Sequence, residues 1–126
     1  TETTLQDYYV KVVWQLPEDF GGWATSNAIT IDYRTESATN TDNDVEAYVH
    51  LSGTEFLDTS GGSNPSDVDN TSTTFVTGAS GIVFDDDVLD AADTAGERVI
   101  VYIKLESKDS NYAQVGDINF TYLSKW

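Results

Sequence analysis

The sequence contains no cysteine and no methionine, two prolines, a single histidine at His50, and six lysines and arginines in all. Each shortage removes a class of function. Without cysteine there is no disulfide frame, no zinc ribbon and no thiol nucleophile. One histidine cannot build a multi-histidine metal site. Six cations against 22 aspartates and glutamates leave a formal net charge of −16, the reverse of the clustered Lys/Arg that nucleic-acid phosphates require. The same charge disfavours anionic membrane surfaces, and no apolar run approaches the roughly 20 residues of a membrane-spanning helix. Neither nucleic acid nor membrane insertion is expected. No basic-then-apolar leader opens the chain, so an exported protein would have lost its signal peptide. Gly21-Gly22 and Gly61-Gly62 lack the lysine and spacing of phosphate-binding loops, and Gly78-Ala79-Ser80-Gly81 lacks the spacing of a nucleophile elbow. No motif names a catalytic reaction, and an enzyme is not expected.

What is present is strand and turn chemistry. Thr, Tyr, Val and Ile favour strands, while Asn, Asp, Gly and Ser favour turns. The 126 residues suit one domain, large enough to bury a core without disulfides or metal. Residues Thr1–Asp7 read as a loose polar arm. Tyr8–Leu16 alternates, with Tyr8, Val10, Val12, Trp14 and Leu16 on one face and Tyr9, Lys11, Val13 and Gln15 on the other. Pro17–Trp23 reads as a loop whose two glycines let Phe20 and Trp23 fold back onto the core. Ala28–Glu36 puts Ile29, Ile31 and Tyr33 inward, with Thr30, Asp32 and Arg34 outward. Val45–Leu51 puts Val45, Ala47, Val49 and Leu51 inward and Glu46, Tyr48 and His50 outward.

Thr54–Leu57, Thr73–Thr77 and Gly81–Phe84 read as short strands, Ser60–Ser72 as a long polar loop, and Asp85–Asp93 as one helical turn or a wide acidic connection. Glu97–Glu106 alternates cleanly, with Val99, Val101, Ile103 and Leu105 inward. Asn111–Leu123 supplies the last strand or strand pair. Short strands separated by turn residues, without a long amphipathic helix, predict an all-β fold, a single antiparallel β-sandwich of jelly-roll-like type over 1–126. The expected core is Val10, Val12, Trp14, Ile29, Ile31, Val49, Val99, Val101, Ile103, Ile118 and Phe120.

Two stretches carry a resemblance. Leu16-Pro-Glu-Asp-Phe-Gly-Gly-Trp23 is followed by Ile29-Thr-Ile-Asp-Tyr-Arg-Thr35, and Ile103-Lys-Leu-Glu-Ser-Lys-Asp-Ser-Asn-Tyr112 by Val115-Gly-Asp-Ile-Asn-Phe-Thr-Tyr122. Together they resemble jelly-roll-like β-sandwich domains of phage virion proteins, such as fibres and head decorations, and of surface proteins from uncultured bacteria. The resemblance covers both ends of the chain but not residues 52–95. Its motifs are core aromatics and turn residues, so it implies a fold and a structural setting, with no catalytic chemistry.

Three acidic groupings are candidates for Ca²⁺, which takes six to eight oxygen ligands. Asp85, Asp86, Asp87 and Asp90 form the densest, continuing to Asp93; Asp67 with Asp69 and Asp42 with Asp44 follow. None has the spacing of the helix-loop-helix calcium motif. Solvated surface acids are the competing account. The aromatics exceed what a small core can hide. Trp14, Trp23, Tyr33 and Tyr122 are assigned to the core, whereas Tyr9, Tyr48, Tyr102 and Trp126 are candidate interface or ligand aromatics, because exposed rings anchor protein contacts or stack on sugars. His50 reads as an exposed or interface residue. Asn70-Thr-Ser72, in a stretch that reads as an exposed loop, and Asn119-Phe-Thr121 match the glycosylation sequon.

The expectation is a non-catalytic structural protein that assembles with copies of itself or with a larger protein shell, on a virion surface or in an extracellular filament. The arm Thr1–Asp7 and the segment Leu123–Trp126 are expected to take part through sheet edges. A secreted carbohydrate-binding module with a structural Ca²⁺, and a glycan as partner, is the alternative. A row of coplanar exposed rings would favour sugar, and rings covered between subunits would favour assembly.

Overall fold

The computed structural model describes residues 3–51, 56–61 and 69–125. Among the described residues, nine strands and one short α-helix follow in order: β1 Gln6–Gln15, β2 Phe20–Trp23, β3 Ile29–Thr35, β4 Asn43–Leu51, β5 Phe56–Leu57, β6 Ile82–Phe84, α1 Asp86–Leu89, β7 Arg98–Ser107, β8 Ala113–Phe120 and β9 Tyr122–Ser124, with a 3-10 turn at Gly78–Ser80 before β6. One sheet has the order β1-β7-β4-β5, a second β6-β3-β8, and β2 pairs with β9. Every pairing is antiparallel. The two larger sheets pack face to face, giving an all-β sandwich. Among the described residues no helix is long and apolar enough to cross a membrane.

Alternation explains the packing. Val45, Ala47, Val49 and Leu51 of β4 and Val99, Val101 and Ile103 of β7 are buried against Ile29, Ile31, Tyr33, Ile82 and Phe84 of the opposite sheet. Val10, Val12, Trp14, Ile118 and Phe120, expected in the core, are only partly buried. They lie on β1 and β8, which are edge strands of the two sheets and so are covered on fewer sides. Tyr8, expected inward, is 69% exposed at the start of β1.

The Phe20 and Trp23 rings are buried as expected, but by another route. Their segment is a strand whose register against β9 shifts between the two residues, and Gly22 supplies the positive φ of 137° that the irregularity needs. Trp23 Nε1 donates to the Ala92 carbonyl at 2.8 Å. Trp14 stacks on Phe120 with centroids 4.6 Å apart and contacts Trp23 and Tyr122 at a tilt. This aromatic cluster joins both sheets to the β2–β9 pair.

Four further expectations are corrected. Gln6 and Asp7, assigned to the arm, are strand residues; Thr1 and Glu2 lie outside the described residues. Thr73–Thr77 is not a strand: it makes one isolated bridge, Tyr33 to Val76. Thr30 and Asp32, expected outward, are buried; the 73–80 segment runs beside β3, bridged to Tyr33 through Val76, and Gly78 N donates to Asp32 Oδ1 at 3.0 Å. Asn70 is not a freely exposed sequon. It is half-buried, and its side-chain amide donates to the Val45 carbonyl at 2.9 Å. Of the predicted strand Thr54–Leu57, only Phe56–Leu57 is described, as β5.

Candidate functional site

The outer face of the four-stranded sheet gathers chemistry from strands far apart in the chain. Register fixes its rows. Asp7, Glu106 and Asp44 lie side by side across β1, β7 and β4. Next come Tyr9, Lys104 and Glu46, then Lys11, Tyr102 and Tyr48, and last Val13, Ile100, His50 and Phe56. The face thus passes from acidic at one end to aromatic at the other within four rows.

At the aromatic end, Tyr9, Lys11, Tyr48, Phe56 and Tyr102 line a shallow groove of about 550 Å³. Phe56 meets Tyr102 edge-on at 78°, with centroids 4.9 Å apart. The Lys11 ammonium lies 6.0 Å from the Tyr102 ring centroid, at the outer limit of a cation–π contact. His50 is half-buried, 5.4 Å from the Phe56 ring. Three of the four aromatics singled out in the sequence, Tyr9, Tyr48 and Tyr102, are therefore brought together; Trp126 lies outside the described residues. Phe56 and Lys11 were not singled out. Lys11 alternates with Tyr9 on the same strand, but the approach of Phe56 depends on the β4–β5 pairing.

The acidic end is the less expected part. Asp44, Glu46 and Glu106 offer carboxylate oxygens that all lie within 4.8 Å of one another. Glu46, assigned to the solvent face, is 0% exposed; Asp44 is 2% and Glu106 8% exposed. The Lys104 ammonium lies 3.0 Å from Glu106 and 3.5 Å from Glu46, with Asp7 at 4.0 Å. Tyr48 Oη donates to Glu46 Oε1 at 2.7 Å and so joins the acids to the groove. Two buried oxygens, Asp44 Oδ1 and Glu46 Oε2, accept no hydrogen bond.

Burial first, then the charges of Glu106, Glu46 and Asp69 and a hydrogen bond with Glu106, push the Asp44 carboxyl up to about 8. Burial and a hydrogen bond with Glu46 raise Glu106 to about 7, against the pull of Lys104. Burial also disfavours charge on Glu46, but hydrogen bonds from Glu106 and Tyr48 and the ammonium of Lys104 outweigh it and hold Glu46 below its usual value. Burial disfavours the Lys104 ammonium, yet its bond to Glu106 and the charges of Glu46, Glu106 and Asp7 hold it protonated above the usual lysine range.

The other acidic candidates have local contacts. Asp85 Oδ1 accepts from Asn27 N at 2.8 Å, fixing a residue with φ of 56°. Asp86 and Asp87 open α1, and Asp90 caps its C-terminal end. Asp42 accepts from Ser37 and lies 3.7 Å from Lys108. Asp69 accepts from Asn40, and Asp67 lies outside the described residues. Among the described residues, the one group of three acids brought together is Asp44, Glu46 and Glu106.

Its signal in the sequence was faint. Asp44 and Glu46 share a face by strand alternation, as do Lys104 and Glu106, but the register that sets Asp44 against Glu106 joins residues 62 positions apart. Comparison of the chain with protein-family models, with curated proteins and with solved structures finds no match.

Proposed function

We propose that the chain is a non-catalytic structural module that assembles with copies of itself through the free edge of β1, on a virion surface or in an extracellular filament. The observation that carries the assembly is the edge itself. β1 runs for ten residues in unbroken register with β7 and has no second strand partner among the described residues. It contains no proline and no bulge, two of the devices that blunt an edge, and its charged residues are Asp7 and Lys11. Tyr8, Tyr9 and Val13 on it are 69%, 63% and 50% exposed. The setting rests on the sequence resemblance and on the acidic, cysteine-free composition.

Charge selects a register. Two copies of β1 pairing antiparallel about a two-fold axis at Tyr9 keep the outer faces on one side, because opposed residues then have the same parity. Tyr9 meets its own counterpart, Tyr8 lies opposite Val10, and Asp7 lies opposite Lys11 of the partner subunit, twice by symmetry. Centring on Lys11 instead would oppose two lysines. The Tyr9 register also joins the two aromatic grooves. Glycan binding is less well supported, since Phe56 and Tyr102 stand nearly perpendicular and form no flat platform.

Sedimentation of the full chain over a range of concentrations tests the proposal. A dimer or larger assembly is expected, weakened by Asp7→Lys or Lys11→Asp alone and restored in the Asp7→Lys/Lys11→Asp double variant. A monodisperse monomer at high concentration refutes self-assembly; a monomer whose tyrosine fluorescence responds to oligosaccharide establishes the glycan reading instead.

A further inference from the structure

We propose that Asp44, Glu46 and Glu106 hold a divalent cation of the oxygen-preferring, calcium-like class. The site is independent of the β1 edge. It is made by two central strands, β4 and β7, whose backbones are fixed by nine registered residue pairs. Asp44 stands directly opposite Glu106, and Glu46 stands two residues along the same face.

With all three acids ionised, local charge does not balance. Three buried carboxylates face one ammonium, and Asp7 is a fourth acid at 4.0 Å from that ammonium. Lys104 pairs with Glu106, Glu46 and Asp7, leaving Asp44 without an ion pair among the described residues. Taking a carboxylate out of water is costly unless it is paired, hydrogen-bonded or bound to metal.

The second observation is independent of the clustering. Asp44 Oδ1 and Glu46 Oε2 are buried and accept no hydrogen bond, although the other oxygen of Glu46 is satisfied by Tyr48. Glu46 Oε2 has the Lys104 ammonium at 3.5 Å, so the acceptor left free is Asp44 Oδ1, on a side chain 2% exposed, which is what a metal-ligating carboxylate presents. Three carboxylates supply three to six oxygens, and water would complete the six to eight that Ca²⁺ takes. An all-oxygen set without histidine or cysteine disfavours zinc and copper.

Calcium chloride titrated into the EDTA-stripped full chain, against sodium chloride of equal ionic strength, tests the site by melting temperature. Terbium luminescence excited through tyrosine gives a second readout, because Tyr48 touches a ligand. Expected are a rise on the order of 10 °C at a hundredfold excess over Kd and a terbium signal displaced by calcium. Asp44→Asn should remove both, while Asp86→Asn/Asp87→Asn should keep them. If Asp44→Asn does not fold, Glu106→Gln is read in the same way. Equal melting in calcium and sodium overturns the proposal, as does a calcium response that survives both Asp44→Asn and Glu106→Gln.

Discussion

With a chelator present, the folded chain should lose stability as pH rises from about 5 to about 8. Asp44 and Glu106 are the cause. Both carboxyls are raised in the folded state, to about 8 and about 7, whereas in an unfolded chain they titrate near ~4. Between these limits the native state holds protons that the unfolded state has released. Stability therefore falls with rising pH, by about 1.4 kcal/mol per pH unit for each proton retained. Glu46 is shifted the other way, and its contribution changes below this window. Lys104, raised further, stays charged throughout it.

The remaining charged and titratable neighbours of the cluster are Asp7 on β1, Tyr48 on β4 and Asp69 beside Asn70. Because the three acids titrate together, the slope belongs to the cluster and not to one residue. Two retained protons set an upper bound of about 5 kcal/mol between pH 5 and pH 7, a large part of the ~5–15 kcal/mol that keeps a domain folded.

Urea denaturation at steps between these pH values measures the loss. About 0.5 M NaCl should be included to screen repulsion among exposed acids, which buried charges feel less. With a slope near ~2 kcal/mol per molar, the midpoint should fall by about 1–2 M. Asp44→Asn, with no proton to lose, should flatten the profile by roughly half and make the variant the more stable protein at pH 8. A midpoint that is level or rises from pH 5 to 8, or an Asp44→Asn profile as steep as the wild type, would refute the reasoning.

Three further outcomes concern the scaffold. Trp14→Ala should cost about 3 kcal/mol by removing the ring stacked on Phe120, and near-ultraviolet circular dichroism should weaken with it; an unchanged melting curve counts against the aromatic cluster as a support. Asp19→Ala should cost about 1–3 kcal/mol, because its carboxylate accepts from Tyr122 Oη and Ser124 Oγ at 2.9 and 3.0 Å. Hydrogen exchange should quicken first in β9, and a uniform change would argue against a local clasp. Gly81→Ala should destabilise by about 2–3 kcal/mol, since the added Cβ would meet the Ile31 carbonyl oxygen; a neutral result in urea would show that β3 and β6 can move apart.

Alternation made β1, β3, β4 and β7 readable, because each strand buries one face against a common core. It failed where a loop or neighbouring side chains cover the other face. Asp32 is buried by the 73–80 segment, and Glu46 by its place in a cluster. Tyr9, Tyr48 and Tyr102 could be singled out by counting rings against core capacity, and each lies on the face opposite the apolar one. That they converge is a matter of register. The grouping of Asp44 with Glu106 is invisible to local inspection for the same reason, while the run Asp85–Asp87 drew attention only because its acids are contiguous. Contiguous acids repel and point apart; acids two apart on neighbouring strands face a common point.

The pairing of β1 with β7 also governs when the molecule can form. Gln6 lies opposite Ser107, and Phe20 opposite Ser124, so both contacts close loops of about a hundred residues. Such closures are entropically expensive and slow. During synthesis β1 leaves the ribosome long before β7 exists, with both of its edges open. Its ten residues are then free to pair with β1 of another nascent chain, in the same Asp7-to-Lys11 register proposed for the mature contact. β7 claims one edge and leaves the other without a strand partner among the described residues. Any substitution that delays β7 should therefore divert the chain into aggregates before it can fold, and lower its soluble yield more than its equilibrium stability.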